Sequence, residues 1–216
     1  MFDEKVFDEK VFDGSGERIG IFGGTFDPPH VGHLTAALEV RHSLQLDRML
    51  LVVANDPWQK SGTSAVTPAA IRLEMLEAAV NSLSASSSPQ LLEVSDREIR
   101  RGGETYTAET LAAIHAESPD AELFMIVGSD AAAGLDTWKQ TEEVRRLATT
   151  VVIDRGGRQG GRPPGDWPHL VVGVPALQIS SSDLRARFRD GRPVEMLVPA
   201  AVADLVRARG LYGSGA

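Results

Sequence analysis

The sequence predicts an α/β fold built on a mainly parallel central sheet with helices on both faces. Short apolar runs such as "MLLVVA" (49–54), "ELFMIVG" (122–128) and "ATTVVID" (148–154) recur along the chain, and helical patterns separate them. Parallel strands are buried on both faces and need a helix-sized crossover between them, so continuous apolar runs alternating with a helical period are their signature. At 216 residues and 23.2 kDa the chain is long enough to bury one substantial core.

The elements follow in order. "RIGIF" (18–22) reads as the first strand and "GHLTAALEVRHSLQL" (32–46) as a helix with Leu34, Leu38 and Leu44 near one face. "MLLVVA" is the second strand. A loop, "NDPWQKSGTSAVT", leads to a helix over about 68–80 that Thr67 and Pro68 should start. "NSLSASSSP" reads as an exposed connection. "LLEVS" (91–95) is the third strand, and "TAETLAAIHAE" (107–117) a helix with an N-terminal cap signal. "ELFMIVG" is the fourth strand, "DAAAGLDTWKQTEEVRRL" (130–147) is mostly helical and "ATTVVID" the fifth strand. "RGGRQGGRPPGDWP" is too rich in Gly and Pro to join an element. "HLVVGV" (169–174) makes a sixth short strand, before helices starting around Ser181 and Pro193. Sites in such sheets lie beyond the C-terminal strand ends, so the loops after strands one, two, four and six are the places to look.

Composition narrows the function. Hydrophobic residues at 42% and charged residues at 24% describe an ordinary globular chain. With no Cys, disulfides and thiolate metal sites are excluded. No apolar run approaches the ~20 residues of a membrane span and no secretory n-region is visible, so a cytoplasmic location without membrane partners is expected. The net charge of -8 argues against broad nucleic-acid binding but leaves room for a local nucleotide pocket. "FDEKV" stands at 2–6 and again at 7–11, before "FDGSGER". This repeat is too short to build a core, so residues 1–17 read as a flexible leader and 18–216 as one domain, helical from about 181. Association into a homo-oligomer is left open.

The densest local signal is "GGTFDPPHVGH" (23–33). Gly23 and Gly24 after the first strand permit close backbone approach by a phosphate, while Pro28 and Pro29 restrict the chain before His30. His30 and His33, three apart at a helix start, can face one anion. By spacing alone they could equally satisfy buried backbone groups or cap the helix. Two histidines without a third ligand do not make a usual metal site, and none is expected.

The full string closely resembles the nucleotidyltransferase signature Gly-x-Phe-Asp-Pro-x-His-x-Gly-His, carried here by Gly24, Phe26, Asp27, Pro28, His30, Gly32 and His33. Over roughly 19–212 the chain resembles the bacterial nicotinate-nucleotide adenylyltransferase family. That resemblance implies a Rossmann-like nucleotidyltransferase fold in which nicotinate mononucleotide attacks the α-phosphorus of ATP, giving nicotinate adenine dinucleotide and pyrophosphate, with Mg²⁺ carried on ATP. It implies that His30 and His33 engage ATP phosphates. "NDPWQK" matches a second segment, in which many relatives have Pro-Pro-His-Lys where this chain has Pro57, Trp58, Gln59 and Lys60. Lys60 keeps the phosphate-directed cation; the chain has four lysines, two of them in the leader. "ISSSDLR" (179–185) is similar to the family's Ile-Ser-Ser-Thr/Ser-x-x-Arg; alone it could be only a serine-capped helix. With it, Ser181, Ser182 and Arg185 become phosphate ligands.

On the same resemblance, the catalytic set is His30, His33, Lys60 and Arg185. The ATP set adds Gly24, Thr25, Phe26, Asp130, Arg155, Ser181 and Ser182. Thr105, Tyr106 and Thr107 of "GGETYTAETL" would hold nicotinate, with its carboxylate near Thr107, and Trp138 its ring. Asp130 could instead cap a helix and Trp138 could be a core aromatic. Same-fold transfer to nicotinamide mononucleotide or phosphopantetheine is the enzymatic alternative, and a nucleotide-binding regulator without turnover the non-enzymatic one.

Overall fold

The computed structural model describes residues 16–57, 66–84, 91–155 and 161–214. Six parallel strands form one sheet in the order β3-β2-β1-β4-β5-β6: β1 (Arg18–Gly24), β2 (Arg48–Val53), β3 (Glu93–Ser95), β4 (Glu122–Gly128), β5 (Thr149–Arg155) and β6 (His169–Val174). The chain winds outward from β1 to β3, then returns to lay β4 on the other side of β1. The strand order therefore reverses between β1 and β4, and their C-terminal ends at Gly24 and Gly128 flank the crevice this creates.

Alternating side chains give the sheet two buried faces. Met49, Leu51, Val53, Phe124, Ile126, Val151 and Ile153 pack toward α1 (Val31–Ser43), α2 (Ala69–Ser84), α7 (Ser181–Arg189) and α8 (Ala200–Ala208). Ile19, Ile21, Leu50, Val52, Leu123, Met125 and Val152 pack toward α4 (Thr107–Glu117), α5 (Ser129–Ala132) and α6 (Thr141–Leu147). Both neighbours along each strand are thus apolar, which explains the continuous runs. Each such side chain contributes ~1.5–3 kcal/mol by burial, which holds the strand ends, and the loops they carry, in place. No helix among the described residues is long and apolar enough to cross a membrane.

Several boundaries differ from the expected ones. β3 is only Glu93–Ser95, because Leu92 is buried in the core without joining the ladder. A short helix, α3 (Arg97–Arg101), was not anticipated: its polar "REIRR" has no apolar period. The segment 130–147 is not one helix, for α5 ends at Ala132, a 3-10 turn spans Leu135–Thr137, Trp138 is extended and Gln140 adopts φ 57° before α6. The cap expected at α4 is absent, its N-cap Tyr106 making no side-chain bond. The last helix starts at Ala200 rather than near Pro193, since 193–199 forms turns closed by Pro199.

Candidate active site at the strand-order reversal

Two hollows open at the C-terminal edge of the sheet, one on each side of β1. The first, about 200 Å³, is walled by Thr25, Ala54, Pro57, Glu98, Thr105–Thr107, Ala131, Trp138 and Lys139. The second, about 160 Å³, is walled by Phe26, His30, His33, Ala36, Pro175, Leu177 and Ile179. Both share Phe22, Gly23, Gly24 and Gly128. Occupants of the two would meet over a wall made largely of glycine. The loops after β1, β2, β4 and β6 all contribute, as the fold class requires.

In the second hollow the histidines stand at the start of α1. His30 is its N-cap, 2% exposed, and its ring stacks on that of His33 with centroids 3.6 Å apart. The His30 amide donates to His33 Nδ1 at 3.3 Å. Nδ1 is therefore the acceptor, and the proton of a neutral His33 sits on Nε2. Phe26 closes the other side, its ring centroid 5.1 Å from His33. Two glycines make room: a Cβ on Gly24 would lie 2.7 Å from the Phe26 ring, and one on Gly32 3.0 Å from His30 Nδ1.

α7 is tied to this loop. Ser181 Oγ donates to the Pro28 carbonyl at 3.0 Å and Arg185 Nη1 to the Asp27 carbonyl at 2.8 Å. The cap of α7 is Ser180, whose Oγ accepts the Asp183 amide at 3.2 Å, so the amides of Ser181 and Ser182 occupy the open first positions. Ser182 is exposed, with Arg185 Nη2 3.4 Å from its Oγ. Ser181 and Arg185 thus brace the histidine loop while standing at a helix end suited to an anion.

Three residues outside the expected catalytic and binding sets organise the site. Arg72, 1% exposed, donates to the carbonyls of Thr67 at 2.7 Å, Thr25 at 2.9 Å and Asn55 at 2.9 Å. Burial pulls its pKa below the usual arginine value, partly countered by the Asp27 charge, and a guanidinium stays protonated even so. It lies in helical phase with the core residues Met75, Leu76 and Ala79, and an arginine on an apolar face was the available signal. Glu98 lies buried in the wall of the first hollow, accepting from Thr110 Oγ1 at 2.6 Å. Burial raises its pKa, against the opposing hydroxyl bonds of Thr110 and Thr105. Asp27, 4% exposed, accepts from Tyr212 Oη at 2.6 Å and from the Thr67 amide at 3.3 Å.

The remaining expected residues fall as follows. Thr105, Tyr106, Thr107 and Trp138 all wall the first hollow. The Thr105 hydroxyl accepts the Asn55 amide at 3.1 Å, whereas Thr107 begins α4. The buried Trp138 indole N–H has no acceptor among the described residues. Lys139, unanticipated, is the one cation in that wall among the described residues; its Nζ lies 4.2 Å from the Tyr106 ring centroid and 3.8 Å from Glu104. Asp130 is exposed on α5 and in neither wall, and it does not cap that helix, whose N-cap is Gly128. Arg155 closes β5 at the expected edge. Trp58, Gln59 and Lys60, and residues 1–15 of the expected leader, lie outside the described residues.

Known proteins are similar to this chain in sequence and fold. The cytidylyltransferase-like family matches residues 21–187. Probable nicotinate-nucleotide adenylyltransferases are 44% identical in Corynebacterium kroppenstedtii, over 90% of both chains, and 45% identical in Streptomyces coelicolor, over 88% of this chain and 98% of that one. The chain belongs to the nicotinate-nucleotide adenylyltransferase family. Its fold is that of family structures: the nicotinic acid mononucleotide adenylyltransferase of Plasmodium falciparum complexed with NaAD superimposes with a TM-score of 0.74 at 19% identity, over 92% of this chain and 98% of that one. The reversal of strand order at β1 and β4 brings the two hollows of this chain together at Gly23, Gly24 and Gly128.

Proposed function

We propose that the protein transfers the adenylyl group of ATP to nicotinate mononucleotide, giving nicotinate adenine dinucleotide and pyrophosphate in NAD biosynthesis. The observation that carries this reading is the pair of hollows meeting over Gly23, Gly24 and Gly128. A phosphate anion in one can approach the α-phosphorus of a nucleotide in the other in line with its leaving group. No protein nucleophile is required, since the attacking phosphate is already ionised. The chain's task is to align two anions and stabilise charge moving onto pyrophosphate.

ATP is assigned to the hollow beside His30 and His33. His33 Nε2–H, the open amides of Ser181 and Ser182, and Arg185 are proposed as donors to its phosphates, with Lys60 as a further cation. Gly24, Thr25 and Phe26 would shape the approach, with Asp130 and Arg155 at the nucleotide's periphery. The mononucleotide is assigned to the first hollow, its carboxylate at the α4 N-terminus beside Thr107 and its ring beside Trp138. Thr105 would act by fixing the Asn55 segment and Tyr106 by forming the rim. Histidine and arginine donors suit phosphate oxygens, and Mg²⁺ is proposed to arrive on those oxygens with water completing its shell. When bound there, it would neutralise charge on the departing pyrophosphate.

The test is turnover by purified protein with ATP and Mg²⁺ against nicotinate mononucleotide, its amide and phosphopantetheine, reading pyrophosphate and product together. A carboxylate met by directed donors gains ~1.5–3 kcal/mol, so kcat/KM for the acid should exceed that for the amide by about ten- to a hundredfold. Equal efficiencies, or turnover with phosphopantetheine alone, would overturn the assignment.

A further inference from the structure

The 3-10 turn Leu211–Gly213, which follows α8, reaches back to the histidine loop. Tyr212 Oη donates to Asp27 Oδ1 at 2.6 Å across 185 residues of sequence. Its ring lies 6.0 Å from that of Phe188 on α7, and its oxygen 3.9 Å from Met75 Sδ on α2. The backbone bends sharply to deliver it: Gly210, Tyr212 and Gly213 adopt φ of 59°, 59° and 83°. A left-handed tyrosine costs of order 1 kcal/mol, which the turn bears to bring one hydroxyl to one carboxylate.

Asp27 joins everything that handles phosphate in the reading above. Its second oxygen accepts the Thr67 amide at 3.3 Å, on the segment that enters α2. Its carbonyl accepts Arg185 Nη1 at 2.8 Å, and the next carbonyl, Pro28, accepts Ser181 Oγ. His30 and His33 follow three and six residues on, at the start of α1. The carboxylate is 4% exposed, so a lost partner would not be replaced freely by water.

We propose that Tyr212 is a positioning residue for adenylyl transfer: through Asp27 it sets the place of the histidine loop relative to α7 and to the segment at Thr67 that enters α2. Burial beside the Asp27 carboxylate pushes the phenol well above its ordinary pKa, so it remains a proton donor at every working pH. Neither hollow has Asp27 or Tyr212 in its wall, but Phe26 and His30, on the same loop as Asp27, wall the second and not the first. Loss of the hydroxyl should therefore disturb the phosphate side and leave mononucleotide recognition alone. The proposal rests on the adenylyl-transfer reading for its kinetic arm and on geometry alone for its structural arm.

The variant is Tyr212→Phe, which keeps the ring against Phe188 and Met75. Displacement of a reacting group by ~1 Å costs up to ~100-fold, so kcat per folded molecule should fall at least about tenfold, while KM for nicotinate mononucleotide stays within about twofold. Amide hydrogen exchange should quicken at residues 27–34 and 66–67 and stay unchanged in β4. On an Asp27→Ala background the Tyr212→Phe change should lower kcat by less than about twofold, because only the long bond from Thr67 Oγ1 to Tyr212 Oη, 3.5 Å, and the weak contact with Met75 Sδ are then left to lose. A kcat within twofold of the parent, exchange unchanged in 27–34, or effects of the two substitutions that multiply would each overturn the proposal. Should Asp27→Ala not fold, the exchange comparison decides. If the parent itself makes no dinucleotide, the reaction reading fails, and exchange in Tyr212→Phe still decides whether the turn holds the loop.

Discussion

Replacing Arg72 with Met removes the buried hub of the loops after β1 and β2. The guanidinium makes three charge-assisted hydrogen bonds, at 2.7, 2.9 and 2.9 Å. At ~1.5–3 kcal/mol each, the gross loss is roughly 4.5–9 kcal/mol. Against this stands the return of a desolvation penalty of several kcal/mol, because among the described residues no carboxylate lies within ion-pair distance of Arg72. Met fills the aliphatic part of the site and leaves three carbonyls to find water, so the net destabilisation should be about 2–4 kcal/mol. For a chain of this size that lowers the thermal midpoint by roughly 5–15 °C. Arg72→Lys keeps the charge but lacks the planar fork, so it should recover only part of the loss.

The functional consequence is separable. Thr25 precedes the histidine loop and Asn55 backs Thr105 beside the first hollow, so both substrate positions depend on Arg72. Urea unfolding would give the stability change, and kcat on the folded fraction the catalytic change, expected at tenfold or more. A Met variant with stability within 0.5 kcal/mol of the parent and unaltered kcat would show that the three carbonyls hold themselves.

His33→Ala should lower kcat at saturating substrates by about thirtyfold to a thousandfold, the worth of a donor to developing charge, with little change in thermal midpoint; kcat within twofold would remove His33 from catalysis. Glu98→Gln should flatten part of the pH dependence of stability. With its pKa raised by burial, folded Glu98 holds a proton that the unfolded chain has lost, so parent stability falls as pH climbs above the ordinary Glu value near 4.3, and the variant's advantage in urea midpoint should grow over the same window. Gly128→Ala should leave the unfolding midpoint nearly unchanged, since nothing lies within 4 Å of an added Cβ, yet depress turnover; normal kcat would mean the space above Gly128 is not used.

The sheet was legible because each central strand is buried on both faces and announces itself by composition. The histidine loop was legible for a different reason: Gly, Pro and His crowd into 23–33, where no apolar period competes. What stayed hidden is what long-range contact decides. Arg72 reaches 17 and 47 residues away, and Tyr212 reaches 185, distances that no local window spans. The broken helix at 130–147 was only half marked: Gly134 stands at its first break, before the 3-10 turn, whereas Gln140 takes φ 57° at the second with no Gly or Pro beside it. Ser180 rather than Ser181 caps α7, a one-residue choice among three adjacent serines that only the Asp183 amide settles.

The glycines at the reversal of strand order separate two kinds of constraint. Gly24 and Gly32 are glycine because the protein already fills the space a Cβ would take, with Phe26 and His30. Gly23 and Gly128 have no such neighbour: a Cβ on either would meet nothing within 4 Å, and neither has the positive φ that favours glycine. Packing and backbone conformation therefore leave their identity unexplained. Both lie in the wall common to the two hollows, where an added methyl group would take up open space. Phosphate chemistry makes that space valuable, for an attacking oxygen and a phosphorus must approach to ~3–3.5 Å before bonding. On the adenylyl-transfer reading, the open backbone at Gly23 and Gly128 is kept clear for the ligands rather than required by the fold.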